Sequence, residues 1–349
     1  MIDRTEADIM KKWGDYRTPL VTIRCMTYNH EKYIADALDG FLMQETDFPF
    51  EILVHDDAST DGTADIIREY ERKYPHIMKP VYETENQYSK HDGSLGRIVN
   101  GLTRGKYIAT CEGDDFWTSP NKLQLQIDYM LNNPDCSMCF HAVNYYNNGT
   151  VVNNDLITKE ECDLTVEQII EGGGNFCATA SLCYKTEHSL IKPKYRLMSD
   201  VGDYPLQIML ATLGRVHYFP QIMGCYRVGN ANSWIGKTLH SEKKDKEIKH
   251  WYIEIAWLNE FNLETEYKYN DSVLMRVFVY YIILYTLGEK TAFREACKTA
   301  KNFKSKNKRI EHTIRLYKIW IHTYIPWISK MRHALKNNLF MSERGNCDE

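Results

Sequence analysis

Apolar and polar positions alternate along the first 130 residues in a pattern that predicts strands separated by helices. Short apolar runs typical of buried strands occur at 20–28, 51–54 and 106–111, with a weaker strand-like run at 78–86. Between these runs, apolar residues recur every three or four positions, which is helical spacing. Alternating strands and helices predict an α/β fold, with a mostly parallel, Rossmann-like sheet flanked by helices.

The pattern changes after residue 123. A helix at KLQLQIDYMLNN is followed by a strand at CSMCFHAVNYY, and we expect loops in the polar, glycine-containing stretch 147–175. Extended runs at ATASLCYK and VHYFPQIMGCYRV surround a helix that begins at Asp203 and ends at Gly214. From about residue 240 the spacing is helical. We therefore expect an α/β domain over 1–236 and a helical region over 237–349.

Polar side chains follow three of the predicted strands where each strand ends. In parallel sheets of this kind, ligands bind beyond the carboxyl ends of the strands, so these side chains are expected to meet at one rim. The three clusters are Thr27-Tyr28-Asn29, Asp56-Asp57, and Glu112 with Asp114 and Asp115.

The third cluster suits a hard divalent ion, because Mg²⁺ and Mn²⁺ prefer oxygen ligands and leave positions open for phosphate oxygens. Such an ion neutralises charge on a leaving nucleoside diphosphate. Asp56-Asp57 could accept hydrogen bonds from a base N–H and from ribose hydroxyls. No GxxxxGK[ST] or GxGxxG motif indicates a glycine-rich phosphate loop. Each acidic cluster also has a simpler interpretation as a solvated cap or turn.

The order and spacing of three segments along the chain resemble those of a known protein family. The segments VTIRCMTYNHEKYIADALDGFLMQ, EILVHDDASTDGT and GKYIATCEGDDFW resemble the opening strand and helix, the nucleotide-binding segment and the metal-binding D-x-D segment of family-2 glycosyltransferases. The resemblance covers roughly residues 18 to 235, and it is closest to enzymes that build bacterial capsular or surface polysaccharides. It implies a GT-A fold, a nucleotide-sugar donor such as a UDP-hexose, and a glycan or lipid-linked glycan acceptor.

The resemblance also implies roles for individual residues. Thr27 and Tyr28 would line the nucleobase pocket with Asn29, and Asp57 would contact the base with Asp56 beside it. Asp114 would be the main ligand of Mn²⁺ or Mg²⁺. Glu112 stands at the first acid of the D-x-D motif and would face the ribose or the metal, while Asp115 would shape the donor-sugar site.

The segment SDVGDYPLQIMLATLG resembles the family's E-D helix start, where an aspartate is the catalytic base. Asp203 matches that aspartate, Gly202 replaces the usual glutamate, and Asp200 is the reserve candidate. A carboxylate there would deprotonate the acceptor hydroxyl. The simpler interpretation is a helix cap.

A second departure from the family concerns the diphosphate. Arg227 follows Tyr226 and would hold the diphosphate, or would form a structural ion pair. The histidine that follows in many relatives is absent, and its space could be filled from Asn230, Asn232 or Ser233. In many relatives that histidine lies near the metal or the diphosphate, so its absence affects the expected dependence on a metal.

Charge is distributed unevenly along the 349 residues. The net charge of −4 excludes a globally basic nucleic-acid binder, yet 290–336 contains 13 Lys or Arg and only two Asp or Glu. Trp320, Tyr324 and Trp327 lie among these basic residues, a composition typical of an interfacial helix. We weigh three roles for this region: contact with the anionic inner membrane leaflet, packing on the α/β domain, and homo-oligomerisation.

Location and activity follow from the same observations. The charged N-terminus lacks the apolar core of a signal peptide, so we expect a cytoplasmic protein, peripheral at the inner membrane face if the basic region binds lipid. The leading hypothesis is a metal-dependent inverting glycosyltransferase. The alternatives are a non-catalytic sugar-nucleotide-binding protein and a nucleotidyltransferase, although the latter would show a basic, glycine-rich loop after the first strand.

Overall fold

The computed structural model describes residues 3–14, 17–147, 149–229, 244–308 and 311. The chain divides into two compact units, Met1–Glu242 and Lys243–Glu349. Several sequence predictions lie outside the described residues: the domain boundary at 236, the roles of Asn230, Asn232 and Ser233, and the aromatic segment with Trp320, Tyr324 and Trp327.

The described part of the first unit contains one sheet and the helices that pack on it. Its strands are β1 (Val21–Thr27), β2 (Phe50–Asp56), β3 (Val81–Tyr82), β4 (Tyr107–Thr110), β5 (Phe116–Trp117), β6 (Cys136–Asn147), β7 (Thr150–Asn154), β8 (Cys162–Leu164), β9 (Cys183–Lys185) and β10 (Arg215–Arg227). Its helices are α1 (Glu6–Met10), α2 (Ile34–Leu42), α3 (Thr63–Lys73), α4 (Ser94–Leu102), α5 (Lys122–Asn132), α6 (Val166–Gly172), α7 (Thr186–Ser189), α8 (Lys194–Met198) and α9 (Asp203–Leu213).

Strands β3, β2, β1 and β4 lie side by side and run parallel. The register of β1 on β2 extends from Val21 opposite Phe50 to Thr27 opposite Asp56. Helices α2, α3 and α4 lie between consecutive strands of this half. The α/β fold predicted from the periodicity is confirmed here, and the carboxyl ends of the strands share one edge.

Beyond β4 the sheet is mixed. Strand β9 lies between β4 and β6 and is antiparallel to both. Strand β10 runs parallel to β6 and carries β5 and β8 as antiparallel neighbours. Local periodicity predicted β6, β9 and β10, but it missed β5 and β8 and did not give the strand directions, because a strand's partner is chosen by contacts far away in sequence.

The polar stretch 147–175 is more regular than expected from its composition. It contains β7, β8 and α6. Strand β7 is exposed along its whole length and pairs with β6, so its ladder hydrogen bonds rather than buried side chains define it. Helix α6 begins with a capping box, in which Thr165 and Gln168 each satisfy the other's backbone N–H.

Helix α2 shows how the sequence positions the future site. Ile34, Leu38 and Phe41 belong to its buried face. Gly40 lies against β5: a Cβ built there would come within 2.9 Å of the backbone N and O of Trp117. The missing side chain therefore allows the helix to approach the strand that follows the acidic segment.

The described part of the second unit consists of helices α10 (Lys244–Glu264), α11 (Asn270–Thr286) and α12 (Lys290–Lys301). A buried polar contact links two of them, because Glu254 accepts hydrogen bonds from the Trp257 indole at 2.7 Å and the Tyr280 hydroxyl at 3.2 Å. Across the described ranges, no helix is both long enough and apolar enough to cross a bilayer.

Candidate active site

The carboxyl edge of the parallel strands brings the three predicted clusters together. The Asp57 N–H donates to the Thr27 carbonyl at 3.0 Å, and the Gly113 N–H donates to the Met26 carbonyl at 2.9 Å. The end of β1 therefore lies between the Asp56-Asp57 segment and the segment that carries Glu112, Asp114 and Asp115, which we call the acid loop. This arrangement follows from the strand order β2-β1-β4.

The turn after β1 joins two of these clusters. Asn29 adopts a left-handed conformation with φ of 57°, which asparagine tolerates better than most residues. Its N–H donates to the Ser59 hydroxyl at 2.9 Å, and its side-chain oxygen accepts the Thr60 N–H at 2.8 Å. Asn29 thus fixes the turn, while the neighbouring Tyr28 is 39% exposed at the rim.

Asp56 and Asp57 are both buried, and their carboxylates already have partners. Asp57 accepts the Gln87 N–H at 2.6 Å and the Tyr88 N–H at 3.0 Å, one on each oxygen. Asp56 accepts the Ser59 hydroxyl. Burial raises the pKa of Asp56. In this structure Asp57 holds the loop at 86–88, and its predicted contact with a base stays a prediction.

The acid loop packs tightly under the end of β1 because Gly113 has no side chain. A Cβ at Gly113 would lie 2.7 Å from Thr27 Oγ1 and 3.0 Å from His30 Nδ1. Thr27 is buried, and its hydroxyl has no hydrogen-bond partner among the described residues. A buried hydroxyl without a partner is costly, and here it lies beside the acid loop, at the edge where ligands bind.

The carboxylates of the acid loop repel one another in partly desolvated surroundings. Glu112 is exposed to solvent, although the protein around it partly desolvates its carboxyl. This desolvation, with the charges of Asp114 and Asp203, raises the pKa of Glu112 to about 8. Asp115 is buried, and burial followed by the charge of Asp114 raises its pKa well above the usual value.

Asp203 is the first residue of α9, and its charge is among the causes of the high Glu112 pKa, which places it near the acid loop. Its Oδ1 accepts the N–H of Tyr204 at 2.8 Å, and its Oδ2 accepts the Thr179 hydroxyl at 3.0 Å. The preceding Gly202 is exposed and makes no side-chain cap. Asp203 therefore has a fixed orientation, and it lies near enough to Glu112 for its charge to act on that carboxyl.

Arg227 ties the end of β10 to the acid loop. Its backbone N–H donates to the Asp115 carboxylate at 2.8 Å, and its guanidinium donates to the Asp114 carbonyl at 2.6 Å and to the Asp36 carboxylate. The guanidinium also lies 4.5 Å from the centre of the Phe116 ring. The ion pair considered from the sequence is present, and the contact with a diphosphate stays a prediction.

Three residues reach the site without having been predicted as site residues. His30 Nε2 lies 3.9 Å from Asp114 Oδ2, and Thr179 holds Asp203. The pKa of Tyr226 is raised by burial and then by the charges of the acid loop and Asp203. Position next to Asn29 or Arg227 could have singled out His30 and Tyr226. The stretch 176–185 is a candidate for acceptor selection from the sequence, but no motif in it singles out Thr179.

The acid loop fits a divalent cation. It offers carboxylate oxygens, the ligands that Mg²⁺ and Mn²⁺ prefer. Desolvation and the negative charges of Asp114 and Asp203 act against the negative charge of Glu112 and raise its pKa. A bound cation would compensate that charge. Glu112 and Asp114 are the residues that would hold it.

The sequence is similar to a known protein family and to several known proteins. Residues 23–184 match the model of glycosyl transferase family 2. An uncharacterized Mycobacterium tuberculosis protein is 34% identical over 232 residues, which cover 66% of this chain and 63% of that protein. The chain thus matches less than two thirds of that relative's length. TuaG of Bacillus subtilis, named for a proposed glycosyltransferase role in teichuronic acid biosynthesis, is 26% identical over 67% of this chain and 87% of its own.

The fold has close counterparts among solved structures. Residues 1–349 of Staphylococcus aureus TarS, crystallised with UDP-GlcNAc, superpose with a TM-score of 0.60 at 16% identity, over 87% of this chain and 91% of that one. The fold is that of the GT-A glycosyltransferases. Within that class, residues 23–184 form a domain that matches glycosyltransferase family 2. Glycosyltransferases are enzymes, so the match to this family supports an enzymatic activity.

Proposed function

We propose that this protein is an inverting glycosyltransferase. It transfers a sugar from a nucleotide donor to a hydroxyl of a glycan or lipid-linked glycan in bacterial surface polysaccharide synthesis, such as that of a capsule. The observation that carries the proposal is that the acid loop and Asp203 lie close together, where desolvation and then the charges of Asp114 and Asp203 raise the pKa of Glu112. The family match supplies the reaction class.

The donor is proposed to lie along the ends of β1 and β2. Thr27 is proposed to line the base pocket from below, where its hydroxyl is buried and has no partner among the described residues. Tyr28 presents an exposed ring at the rim, and Asp57 fixes the facing loop at 86–88. UDP is the proposed nucleotide, because Asp56-Asp57 suit a uracil N–H and ribose, and TarS was crystallised with UDP-GlcNAc.

Glu112 and Asp114 are proposed to hold Mn²⁺ or Mg²⁺, with Asp115 shaping the sugar site behind them. When bound, the ion supplies compensation for charge that develops on the leaving diphosphate. Arg227 holds the acid loop in place through the Asp114 carbonyl, and its charge adds to that compensation.

Asp203 is proposed as the general base. Each of its oxygens accepts one hydrogen bond and keeps a lone pair for the acceptor proton. The acceptor oxygen attacks the anomeric carbon from the face opposite the diphosphate. A new C–O bond forms as the bond to the diphosphate breaks, the nucleoside diphosphate leaves with that electron pair, and Asp203 takes the hydroxyl proton. This single displacement inverts the anomeric configuration.

The acceptor and the location belong to the same proposal. TuaG is named for teichuronic acid biosynthesis, and an Escherichia coli relative, 27% identical over 73% of this chain and 34% of its own, is named chondroitin synthase. We propose a cytoplasmic enzyme that meets a lipid-linked acceptor at the inner membrane face. The exposed lysines of residues 298–308 support contact with anionic lipid.

Two measurements test the proposal. Thermal shift with a panel of nucleotide sugars and Mn²⁺ should single out a UDP-sugar, and a chelator should cancel the shift. Proton NMR of the product formed from that donor should show an anomeric configuration opposite to that of the donor. Retention of configuration would contradict the single displacement.

A non-catalytic sugar-nucleotide-binding protein is the second candidate, and the replacement of a glutamate by Gly202 favours it. The two candidates differ in turnover. A binding protein gives the thermal shift but releases no nucleoside diphosphate with any acceptor.

A further inference from the structure

Lys122, the first residue of α5, is fully buried in the core of the first unit. Its Nζ has no hydrogen-bond partner among the described residues and lies 3.8 Å from the centre of the Trp117 ring. Lysine is almost never fully buried without a partner, so its presence here calls for an explanation.

Among the described residues, no carboxylate is close enough to act as a counter-charge for Lys122. The titratable groups that influence it are the thiols of Cys111, Cys139 and Cys183, on three different segments of the sheet. The neighbouring imidazole of His141 is buried, and burial lowers its pKa to about 3, so it is neutral. Burial also lowers the pKa of Lys122 to about 8, which leaves the ammonium charged at neutral pH.

Trp117 is fixed by several other contacts. Its indole N–H donates to the Ala180 carbonyl at 2.7 Å, and its ring meets Phe41 edge to face at 4.8 Å between centres. In β5, Trp117 pairs with Gly224 of β10. Lys122 covers the ring itself, and a cation over an indole face is the strongest form of this contact.

Trp117 is connected both to the acid loop and to the segment that holds Asp203. Trp117 follows Asp115 by two residues, and its partner strand β10 continues to Arg227, which holds the Asp114 carbonyl. On the other side, the Ala180 that accepts the indole N–H follows Thr179, which holds Asp203. The indole is therefore a link between the acid loop and Asp203.

We propose that Lys122 is a positioning residue, which holds the Trp117 indole by a cation–π contact and so fixes the acid loop relative to Asp203. The inference rests on the proposed function. Stability does not account for the residue, because desolvating an ammonium costs more than one cation–π contact returns. A methionine of similar length would fill the same space without that cost.

The variant Lys122→Met tests this role. We expect its Tm to rise by about 2–4 °C, since the unpaired buried charge is gone. We also expect kcat/KM and the Mn²⁺-dependent affinity for UDP each to fall about tenfold, because the acid loop is no longer held in position relative to Asp203. A gain in stability with a loss of function separates positioning from a structural role. Met130→Leu, two turns along the same helix, is the control and should change neither property.

A double-mutant cycle with Trp117→Phe tests the route. If Lys122 acts through the indole, Lys122→Met should lower UDP affinity by less than about threefold in the Trp117→Phe background. An undiminished tenfold loss in that background would overturn the role of Trp117.

Other outcomes also decide the matter. Unchanged UDP affinity in a folded Lys122→Met protein would overturn the proposal, as would a lower Tm whose functional loss disappears in assays run well below it. If the wild-type protein binds UDP with Mn²⁺ but transfers no sugar, the proposed function fails while the binding measurement still judges Lys122. If it does not bind UDP, the site to be positioned is absent and both proposals fall.

Discussion

At the scale of single residues, hydrogen bonds fix the orientation of the acidic side chains at the site. Asp203 accepts one hydrogen bond on each oxygen, and Asp57 accepts the backbone N–H of Gln87. The buried Thr27 hydroxyl has no partner among the described residues. Fixed groups of this kind lower the cost of reorganisation during a reaction.

Thr179→Val is expected to lower kcat about tenfold, because Asp203 loses the hydroxyl that orients its Oδ2. Steady-state kinetics of nucleoside diphosphate release measure the effect, and the KM for donor should stay within about twofold. Thr212→Val is the matched control, since the Thr212 hydroxyl bonds only the Met209 carbonyl of its own helix. Equal losses in both variants would remove the special role of Thr179.

Gly113→Ala is expected to lower kcat/KM by about 100-fold, because the new methyl group would lie 2.7 Å from Thr27 Oγ1 and displace the acid loop. The same kinetic assay applies. Gly96→Ala serves as control: the Cβ meets nothing within 4 Å, and the exposed helical position should gain about 0.5–1 kcal/mol of stability with unchanged activity. Full activity of Gly113→Ala would show that the loop tolerates displacement.

At the scale of elements, the buried Lys122 at the start of α5 makes the stability of the fold depend on pH. Lys122 has a folded-state pKa of about 8 and an ordinary value of 10.5. Between these pH values the unfolded chain binds a proton that the folded chain has lost. The free energy of unfolding therefore rises with pH across this window, and the cost of the buried charge is complete below pH 8.

It follows that the stability advantage of Lys122→Met over wild type shrinks as the pH rises. Urea unfolding at about pH 7 and about pH 9.5 should give a difference in unfolding free energy that is smaller by about 2 kcal/mol at the higher pH. The thiols of Cys111, Cys139 and Cys183 and the His141 imidazole are shared by both proteins, so they cancel in the comparison. A constant difference would mean that Lys122 titrates normally.

The elements also show what the sequence could and could not predict. Strands β1, β2 and β4 were predictable because each is a short apolar run followed by polar residues, and parallel strands must place those residues at one edge. The position of β9 between β4 and β6 was not, since nothing local selects its partners. Thr179 and Lys122 were missed for the same reason: their roles come from contacts between distant segments.

At the scale of the whole molecule, the near-neutral net charge conceals a basic region in the second unit. Lys301, Lys304 and Lys306 are exposed there. Reversal of all three to glutamate should weaken binding to phosphatidylglycerol vesicles by at least about 100-fold, at roughly 1 kcal/mol per lysine, while UDP affinity stays unchanged. Co-sedimentation is the measurement. Reversal of Lys11, Lys12 and Lys159, which are also exposed, is the charge-matched control.

If the wild-type protein does not sediment with anionic vesicles, the basic region has another role, and packing or self-association takes its place. Sedimentation that survives the reversal would instead move the lipid contact to another part of the chain.

The central claim is that the protein transfers sugars at the site formed by the acid loop and Asp203. Asp203→Asn tests it most directly, because asparagine keeps the size of the side chain and removes the base. We predict a loss of at least about 100-fold in sugar transfer, with UDP affinity in Mn²⁺ within about twofold of wild type by calorimetry. Transfer at the wild-type rate by a folded Asp203→Asn protein would contradict the account.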